Sequence, residues 1–172
     1  MMYTQRKAFS MLTAIFVIVL MATVAMLVMN LSGKIIKETT AQYQKEQAAI
    51  LAKSYTEYAI MAVMSNDRNA TGNDCIENID GRIGADVNNG QGYLINTRIA
   101  YISDNDATNG SSVSTCAATR ILDSSGISTP ESALNIIVDV YVRYRDPDHP
   151  NITTAPNTVP WVTYHRRTLQ KI

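Results

Sequence analysis

The most informative absence in this sequence is that of charged side chains from residue 8 to residue 33. These 26 residues contain no Asp, Glu, Lys or Arg, and all 15 acidic residues of the chain follow Gly33. Arg6 and Lys7 are the only charged residues before Lys34. An uncharged segment of this length excludes a wholly soluble cytoplasmic protein as the default interpretation.

Other absences argue against further classes of function. The 15 basic and 15 acidic residues cancel, so the chain has no overall attraction to nucleic acid, and we predict no nucleic-acid partner. The sequence has no Walker A, GxSxG or HExxH pattern, and we expect no enzymatic activity. It has neither CxxC nor a Cys/His cluster, which disfavours a structural zinc site. The two histidines, His149 and His165, are expected to be solvated.

The apolar run predicts one membrane-spanning helix. Residues 8–33 form a helix of about 39 Å, and the hydrocarbon core of a bilayer measures about 30 Å. Arg6 and Lys7 stand directly before the run, so the positive-inside rule holds the N-terminus in the cytoplasm and the rest of the chain outside. The alternative is a secretory signal peptide, whose apolar region is usually only about 7 to 15 residues long.

No proline or charged break separates the apolar run from residues 34–64, so we expect one helix from about Phe9 to Met64. The second half is predicted to be amphipathic, with an apolar face that packs on the chain's own C-terminal domain or on helices of neighbouring subunits. The residues assigned to this face recur at intervals of three, four or seven: Ile36, Tyr43, Ile50, Leu51, Tyr55, Tyr58 and Ala62.

Beyond the helix the periodicity changes from 3.6 to 2. Residues 65–78 are predicted to form a loop, and strands are predicted at 92–103, near Arg120, at 133–145 and at 161–169. The segment Asn89–Gly92 contains a GxG pattern without a preceding strand or following helix, and we interpret it as a tight turn. The predicted fold class is α+β: a long N-terminal helix, half transmembrane and half amphipathic, packed on a small antiparallel sheet.

The two cysteines, Cys75 and Cys116, both follow the membrane segment, where a disulfide can persist. We therefore expect one bridge between them, and the alternative is a pair of buried free thiols. Asp104, Asp106 and Asn109 place oxygen ligands at short spacing that could hold Ca²⁺. These three residues do not fit an EF-hand loop, and a solvated turn is the alternative, so we expect no cofactor.

Basic and aromatic residues alternate on two predicted strands. The basic residues are Arg143, Arg145, Arg166 and Arg167, and the aromatic residues are Tyr141, Tyr144, Trp161 and Tyr164. Such a face could hold single-stranded nucleic acid by stacking and phosphate contact. Strand alternation sends Tyr144 to the face opposite Arg143 and Arg145, however, and we interpret the cluster as an ordinary outer sheet face.

The junction RKAFSMLTAIFVIVLMATVAMLVMN, residues 6–30, resembles the class III signal of prepilins. In that family a short basic leader ends in a small residue, usually glycine, and an aromatic amino terminus and a long apolar helix follow. Ala8 stands at the position of the glycine and Phe9 at the new N-terminus. The resemblance covers residues 1–64, and it implies cleavage between Ala8 and Phe9 by a prepilin peptidase and N-methylation of Phe9.

The resemblance also implies a pilin-like architecture and function. Residues 1–8 would be the leader, 9–33 the transmembrane and assembly helix, 34–64 its amphipathic continuation and 65–172 an exported head. The chain would lie in the bacterial inner membrane with its head in the periplasm until an assembly platform packs it with other subunits into a type IV pilus or type II secretion pseudopilus. The alternative is a membrane-anchored periplasmic binding module that never polymerises.

Thr13 departs from the resembled family, which has a glutamate at this position. That glutamate is thought to neutralise the amino terminus of the adjacent subunit inside the apolar filament core, where an unpaired charge is costly. The resemblance then implies a minor or tip subunit, because Thr13 cannot supply the charge. The alternative is that Thr13 hydrogen-bonds back to its own helix while the amine finds other partners.

Overall fold

The computed structural model describes residues 5–66, 75–103, 121–123 and 135–172; at 5–10, 103 and 121–123 it describes the backbone alone. The helix α1 runs from Gln5 to Ser65 without a break at Gly33. This agrees with the absence of proline and of a charged break from the segment. The chain divides into two compact units, Met1–Tyr43 and Gln44–Ile172, so the last 22 residues of α1 belong to the same unit as the sheet.

The second unit contains a five-stranded sheet. Its strands are β1 (Asn78–Asp86), β2 (Gln91–Ser103), β3 (Ile121–Asp123), β4 (Asn135–Arg145) and β5 (Trp161–Lys171). Strands β1, β2, β4 and β5 are adjacent in that order and antiparallel, and the short β3 pairs in parallel with the end of β2. The α+β class predicted from the sequence is therefore confirmed, with a long apolar N-terminal helix and an antiparallel sheet.

One face of the sheet and one side of α1 form the hydrophobic core. The alternating apolar residues of the two central strands are almost fully buried, and they are Ile95, Ile99 and Tyr101 of β2 with Ile136, Val138, Val140, Val142 and Tyr144 of β4. The helix contributes mostly small side chains to the same cluster: Ala48, Ala52, Ala59 and Val63, next to the buried Thr56. The sheet therefore provides most of the buried volume.

The predicted apolar face packs on the chain's own sheet only in part, and its contact with helices of neighbouring subunits stays a prediction. Ile36, Tyr43, Ile50 and Tyr58 are between 54% and 65% exposed, and only Leu51, Tyr55 and Ala62 are partly buried. At about 100° per residue, Ile50 points about 160° to 180° away from Ala52 and Ala59, and Tyr58 about 100° to 120° away from them. The large side chains formed an apolar pattern in the sequence, but the side that packs on the sheet is the one with small residues.

Strand β1 was not predicted, and the assignment of Asn89–Gly92 as a turn without a preceding strand was wrong on that point. Residues Val87–Gly90 form the turn of a hairpin that joins β1 to β2. Gly90 has φ +74°, and a Cβ atom there would lie 3.0 Å from Pro147 Cα, so glycine fits both the turn and the loop beside it. The sequence NIDGRIGAD contains two glycines and two aspartates, which are rare in strands.

Gly81 of β1 lies against the phenolic end of the Tyr55 side chain from α1. A Cβ atom at residue 81 would lie 2.6 Å from Cζ and 2.8 Å from Cε1 of the Tyr55 ring. We expect Gly81→Ala to lower the free energy of unfolding by about 1 to 3 kcal/mol, the usual cost of overpacking. Urea denaturation of the full chain in non-ionic detergent, followed by the fluorescence of the single Trp161, measures this loss.

The Tyr55→Leu background is the matched control for this prediction. Removing the ring makes room for the methyl group, and alanine is the better residue in a strand because it restricts the unfolded chain. We expect Gly81→Ala to be neutral or stabilising in that background. An equal loss in both backgrounds would show that the contact with Tyr55 does not dictate glycine at this position.

Candidate functional site

The first candidate surface is the uncharged part of α1. Every side chain from Met11 to Thr39 is exposed, and α1 is long and apolar enough to cross a membrane, with a mean hydropathy of 2.8 and no burial in its most apolar stretch. The hydroxyl of Thr23 donates a hydrogen bond of 2.8 Å to the carbonyl of Leu20, so this polar group is satisfied within the helix. Such a helix needs lipid or other apolar helices around it.

The residues expected to take part in processing and assembly lie at the start of this helix. Ala8 and Phe9 are within the helical backbone of α1, but their side chains lie outside the described residues. Thr13 is exposed, and it has an interaction partner. The roles of these three residues stay predictions.

The second candidate surface is the face of the sheet that points away from α1, which we call the outer sheet face. Paired residues on neighbouring antiparallel strands point to the same side, so the register defines this face. Its central rows are Asn78–Arg98–Asp139–Arg167, Asp80–Asn96–Tyr141–His165 and Arg82–Leu94–Arg143–Thr163, and the pair Arg145–Trp161 follows them. The sequence placed five of these residues in one cluster, and the structure has all five on this face: Tyr141, Arg143, Arg145, Trp161 and Arg167.

Asp139 is the centre of one cluster on the outer sheet face. Its carboxylate accepts hydrogen bonds from Arg167 Nε at 2.7 Å and Nη2 at 2.9 Å, and it lies 2.8 Å from Nε2 of His165. The hydrogen bond from Arg167 lowers the pKa of Asp139, partial burial opposes this shift, and His165 adds to it. The imidazole of His165 stacks on Tyr141 with 4.4 Å between ring centroids.

A second cluster connects the three strands β1, β2 and β4. Arg143 Nη2 donates to Asn96 Oδ1 at 2.6 Å, and Asn96 Nδ2 donates to Asp80 Oδ1 at 3.0 Å. The same carboxylate oxygen accepts from Arg98 Nη1 at 3.1 Å. These polar side chains hold each other in fixed positions across the outer sheet face.

Arg145 and Trp161 form the end of the outer sheet face next to the β1–β2 turn. Arg145 is only 5% exposed, and its guanidinium carbon lies 4.4 Å from the centre of the Trp161 ring. Its Nη1 atom donates to the carbonyls of Asn88 and Pro156 and so links the turn to the loop before β5. Arg143 lies above the same ring at 5.9 Å. A cation above the face of an indole is attracted to it.

Several expectations for these strands have a clear outcome. Tyr144 lies on the core face and is 5% exposed, as the alternation of β4 predicted. Arg166 also points to the side of α1, whereas Arg167 points outward. His165 is exposed, as expected, and it also contacts Asp139 and Tyr141. His149 is partly buried, and its Nδ1 accepts a hydrogen bond from the Asn151 amide at 3.2 Å.

Sequence reasoning missed the contribution of the first two strands to the outer sheet face. Arg82 and Asp80 belong to the unpredicted β1, and Arg98 belongs to a predicted strand whose neighbours were unknown. The signal that could have found Arg82 is the sequence NNGQG before the predicted strand at 92–103, because a tight turn implies a strand on its other side.

The remaining expectations depend on residues outside the described part of the chain. Cys75 is half-buried, packs against the core cluster and is not a free thiol. Cys116 lies outside the described residues, so its pairing with Cys75 stays a prediction. Asp104, Asp106 and Asn109 also lie outside them. Within the described ranges no three His, Cys, Asp or Glu residues are grouped as metal ligands.

Comparisons with known proteins give no relative for this chain. No family model, no curated protein and no solved structure matches it. The function must therefore be argued from the helix and the two surfaces themselves.

Acid pH should destabilise the head through Asp139. The pKa of Asp139 is lower in the folded state than in the unfolded state. The stabilisation by Asp139 is therefore fully present above the unfolded-state pKa of about 3.9, and it is lost as the pH falls through the lower folded-state pKa. We expect Asp139→Asn to reduce the free energy of unfolding by about 1 kcal/mol at pH 7, the usual effect of a lost hydrogen bond. Urea denaturation across pH values from 7 downward measures the difference from the unmodified protein.

The matched control is Asp80→Asn, since Asp80 is 55% exposed and pairs with one arginine on the same face. Its effect on the free energy of unfolding at pH 7 should be smaller. The difference between Asp139→Asn and the unmodified protein should shrink below about pH 4. A difference that stays constant to the lowest pH would contradict the assigned role of Asp139.

The expected Cys75–Cys116 bridge predicts a large effect of Cys116→Ser. Loss of a native disulfide in a small exported domain costs about 2 to 5 kcal/mol, and urea denaturation under oxidising conditions measures it. Reduction of the unmodified protein should reproduce the loss, and the same reductant should leave Cys116→Ser unchanged. Two thiols that titrate in the native oxidised protein would exclude the bridge.

Proposed function

We propose that this chain is a structural subunit of a filament of the type IV pilus or type II secretion pseudopilus kind. The observation that carries the proposal is the junction Arg6-Lys7-Ala8-Phe9 at the start of α1, a helix without charges at residues 8–33. This helix continues into the second compact unit, Gln44–Ile172, which we call the head unit. A simple membrane anchor needs a span, but it needs neither a small residue followed by an aromatic residue at the start nor an amphipathic continuation of the same helix.

The exposed side of the helix within the head unit supports assembly. Ile50, Tyr58, Met61 and Met64 are between 54% and 64% exposed and project from the side opposite to the core. Four large apolar residues in such a row are more than scattered surface hydrophobics, and contact with other subunits would remove them from water. Fully burying one such side chain contributes about 1.5 to 3 kcal/mol.

The mechanism of this function is packing and not chemistry. In the proposed sequence of events the helix is stored in the inner membrane, a prepilin peptidase removes residues 1–8, and an assembly platform transfers the subunit to the filament. Apolar helices of different subunits then replace lipid around residues 9–33. Thr13 cannot neutralise the amine of an adjacent subunit, so we propose that the chain is present in few copies, at the tip or as a minor component.

Mass spectrometry of the membrane fraction and of sheared filaments tests the proposal. We expect a chain that begins at Phe9 with one added methyl group, 164 residues long after removal of eight from 172. Quantification against the most abundant filament subunit should give only a few copies of this chain per filament. Dense incorporation along the filament would contradict the assignment as a minor or tip subunit, but it would not contradict the assignment as a filament subunit.

Two variants make the test specific. Ala8→Leu places a bulky residue before the cleaved bond and should accumulate as the full-length chain in the membrane. Ala14→Leu changes the same residue type within the apolar helix and should be processed normally. A full-length, unmethylated protein in unmodified cells would leave the anchored periplasmic module as the better interpretation.

A further inference from the structure

We propose that the outer sheet face binds single-stranded nucleic acid. This inference goes beyond the proposed function and does not depend on it. The sequence predicted no nucleic-acid partner because the chain is neutral as a whole and because Tyr144 leaves the basic cluster. The pairing of β1 and β2 with β4 brings in two arginines from elsewhere in the chain, Arg82 and Arg98.

The charges of the sheet are segregated by face. Six arginines lie on described strands, and five of them are on the outer sheet face: Arg82, Arg98, Arg143, Arg145 and Arg167. The carboxylates in the same rows are Asp80 and Asp139, so these rows carry a net charge of +3 when His165 is neutral. A local field of this kind attracts an anion although the net charge of the chain is zero.

The carboxylates of Asp80 and Asp139 hold neighbouring side chains in place, but they do not neutralise the positive charge of the outer sheet face. Asp80 pairs with Arg98, and Asp139 pairs with Arg167 and His165. Within the described ranges, Arg82, Arg143 and Arg145 form no salt bridge. Arg82 is exposed, and Arg143 is partly exposed beside it across β2. All five cations are arginines, whose planar guanidinium groups can bind phosphate in a bidentate manner. Arg145 is only 5% exposed, so the other four are the ones accessible to a ligand.

Aromatic rings lie among these arginines. Tyr141 and Trp161 are on the outer sheet face and keep part of their surface exposed, with His165 and Arg145 stacked on them. Stacking of a base on an aromatic ring contributes about 1 to 3 kcal/mol and does not depend on base identity. Bases are accessible for stacking only in a single strand, which favours this ligand over duplex DNA.

The dimensions of the face fit an extended strand. Four antiparallel strands at about 4.8 Å spacing place Arg82 and Thr163, in the same row, about 14 Å apart. Arg143 lies between them, and the row with Arg98 and Arg167 is about 13 Å further along the strands. A surface with cations on two rows, the Tyr141 ring between these rows and the Trp161 ring at one end can contact several successive nucleotides.

Fluorescence anisotropy with a labelled oligothymidine of about 15 nucleotides tests the inference, using the full chain in non-ionic detergent. We expect binding that weakens as salt increases, accompanied by quenching of Trp161. Arg82→Glu should lower the affinity at least tenfold, because it reverses a charge at an exposed position. Lys53→Glu, the same type of reversal on an exposed helix residue, should leave the affinity unchanged.

Each outcome decides the inference. Arg82→Gln should reduce the slope of log affinity against log salt by about 0.7, the value for one phosphate contact in a single strand, while its denaturation curve stays that of the unmodified protein. Absence of binding to the oligonucleotide, equal loss with Arg82→Glu and Lys53→Glu, or stronger binding to duplex DNA would overturn it. Binding to an acidic polysaccharide such as polygalacturonate in place of the oligonucleotide would overturn it in favour of that ligand class.

Discussion

The side of α1 that packs on the sheet has small side chains, and the rest of the head depends on this constraint. Ala48, Ala52 and Ala59 are completely buried but fill little volume, so the core must be filled from the sheet. This explains why β2 and β4 bury branched and aromatic residues at every second position. The same packing places the ring of Tyr55 over β1, where only glycine leaves room for it.

This constraint also explains which parts of the fold could be predicted from the sequence. The long helix and the strands β2, β4 and β5 follow from local patterns, since apolar periodicity and β-branched alternation act within a few residues. The buried side of the helix does not, because a hydropathy pattern gives the greatest weight to Ile50 and Tyr58 and little to Ala52. The decisive information is the shape of the sheet surface, and distant residues determine it.

Strand β1 and the outer sheet face were missed for a related reason. Hydrogen bonding to β2 stabilises β1 against the low strand propensity of its glycines and aspartates. Arg82, Arg98 and Arg143 are separated by 16 and 45 residues in sequence, and only the register of three strands places them on one face. Alternation within one strand correctly predicted that Tyr144 leaves this face, but alternation alone cannot identify neighbours across strands.

The two surfaces of the head lie on opposite sides of its core. The row Ile50, Tyr58, Met61 and Met64 faces away from the sheet, and the arginines of the outer sheet face point away from the helix. Packing of subunits through the helix would therefore leave the outer sheet face exposed to solvent. In the proposed filament the apolar row would be removed from water where subunits meet. The accessible arginines of the outer sheet face, which are costly to bury without partners, would stay in contact with solvent. The proposed assembly and the proposed binding of an anionic strand are compatible because the hydrophobic core separates the surfaces that they would use.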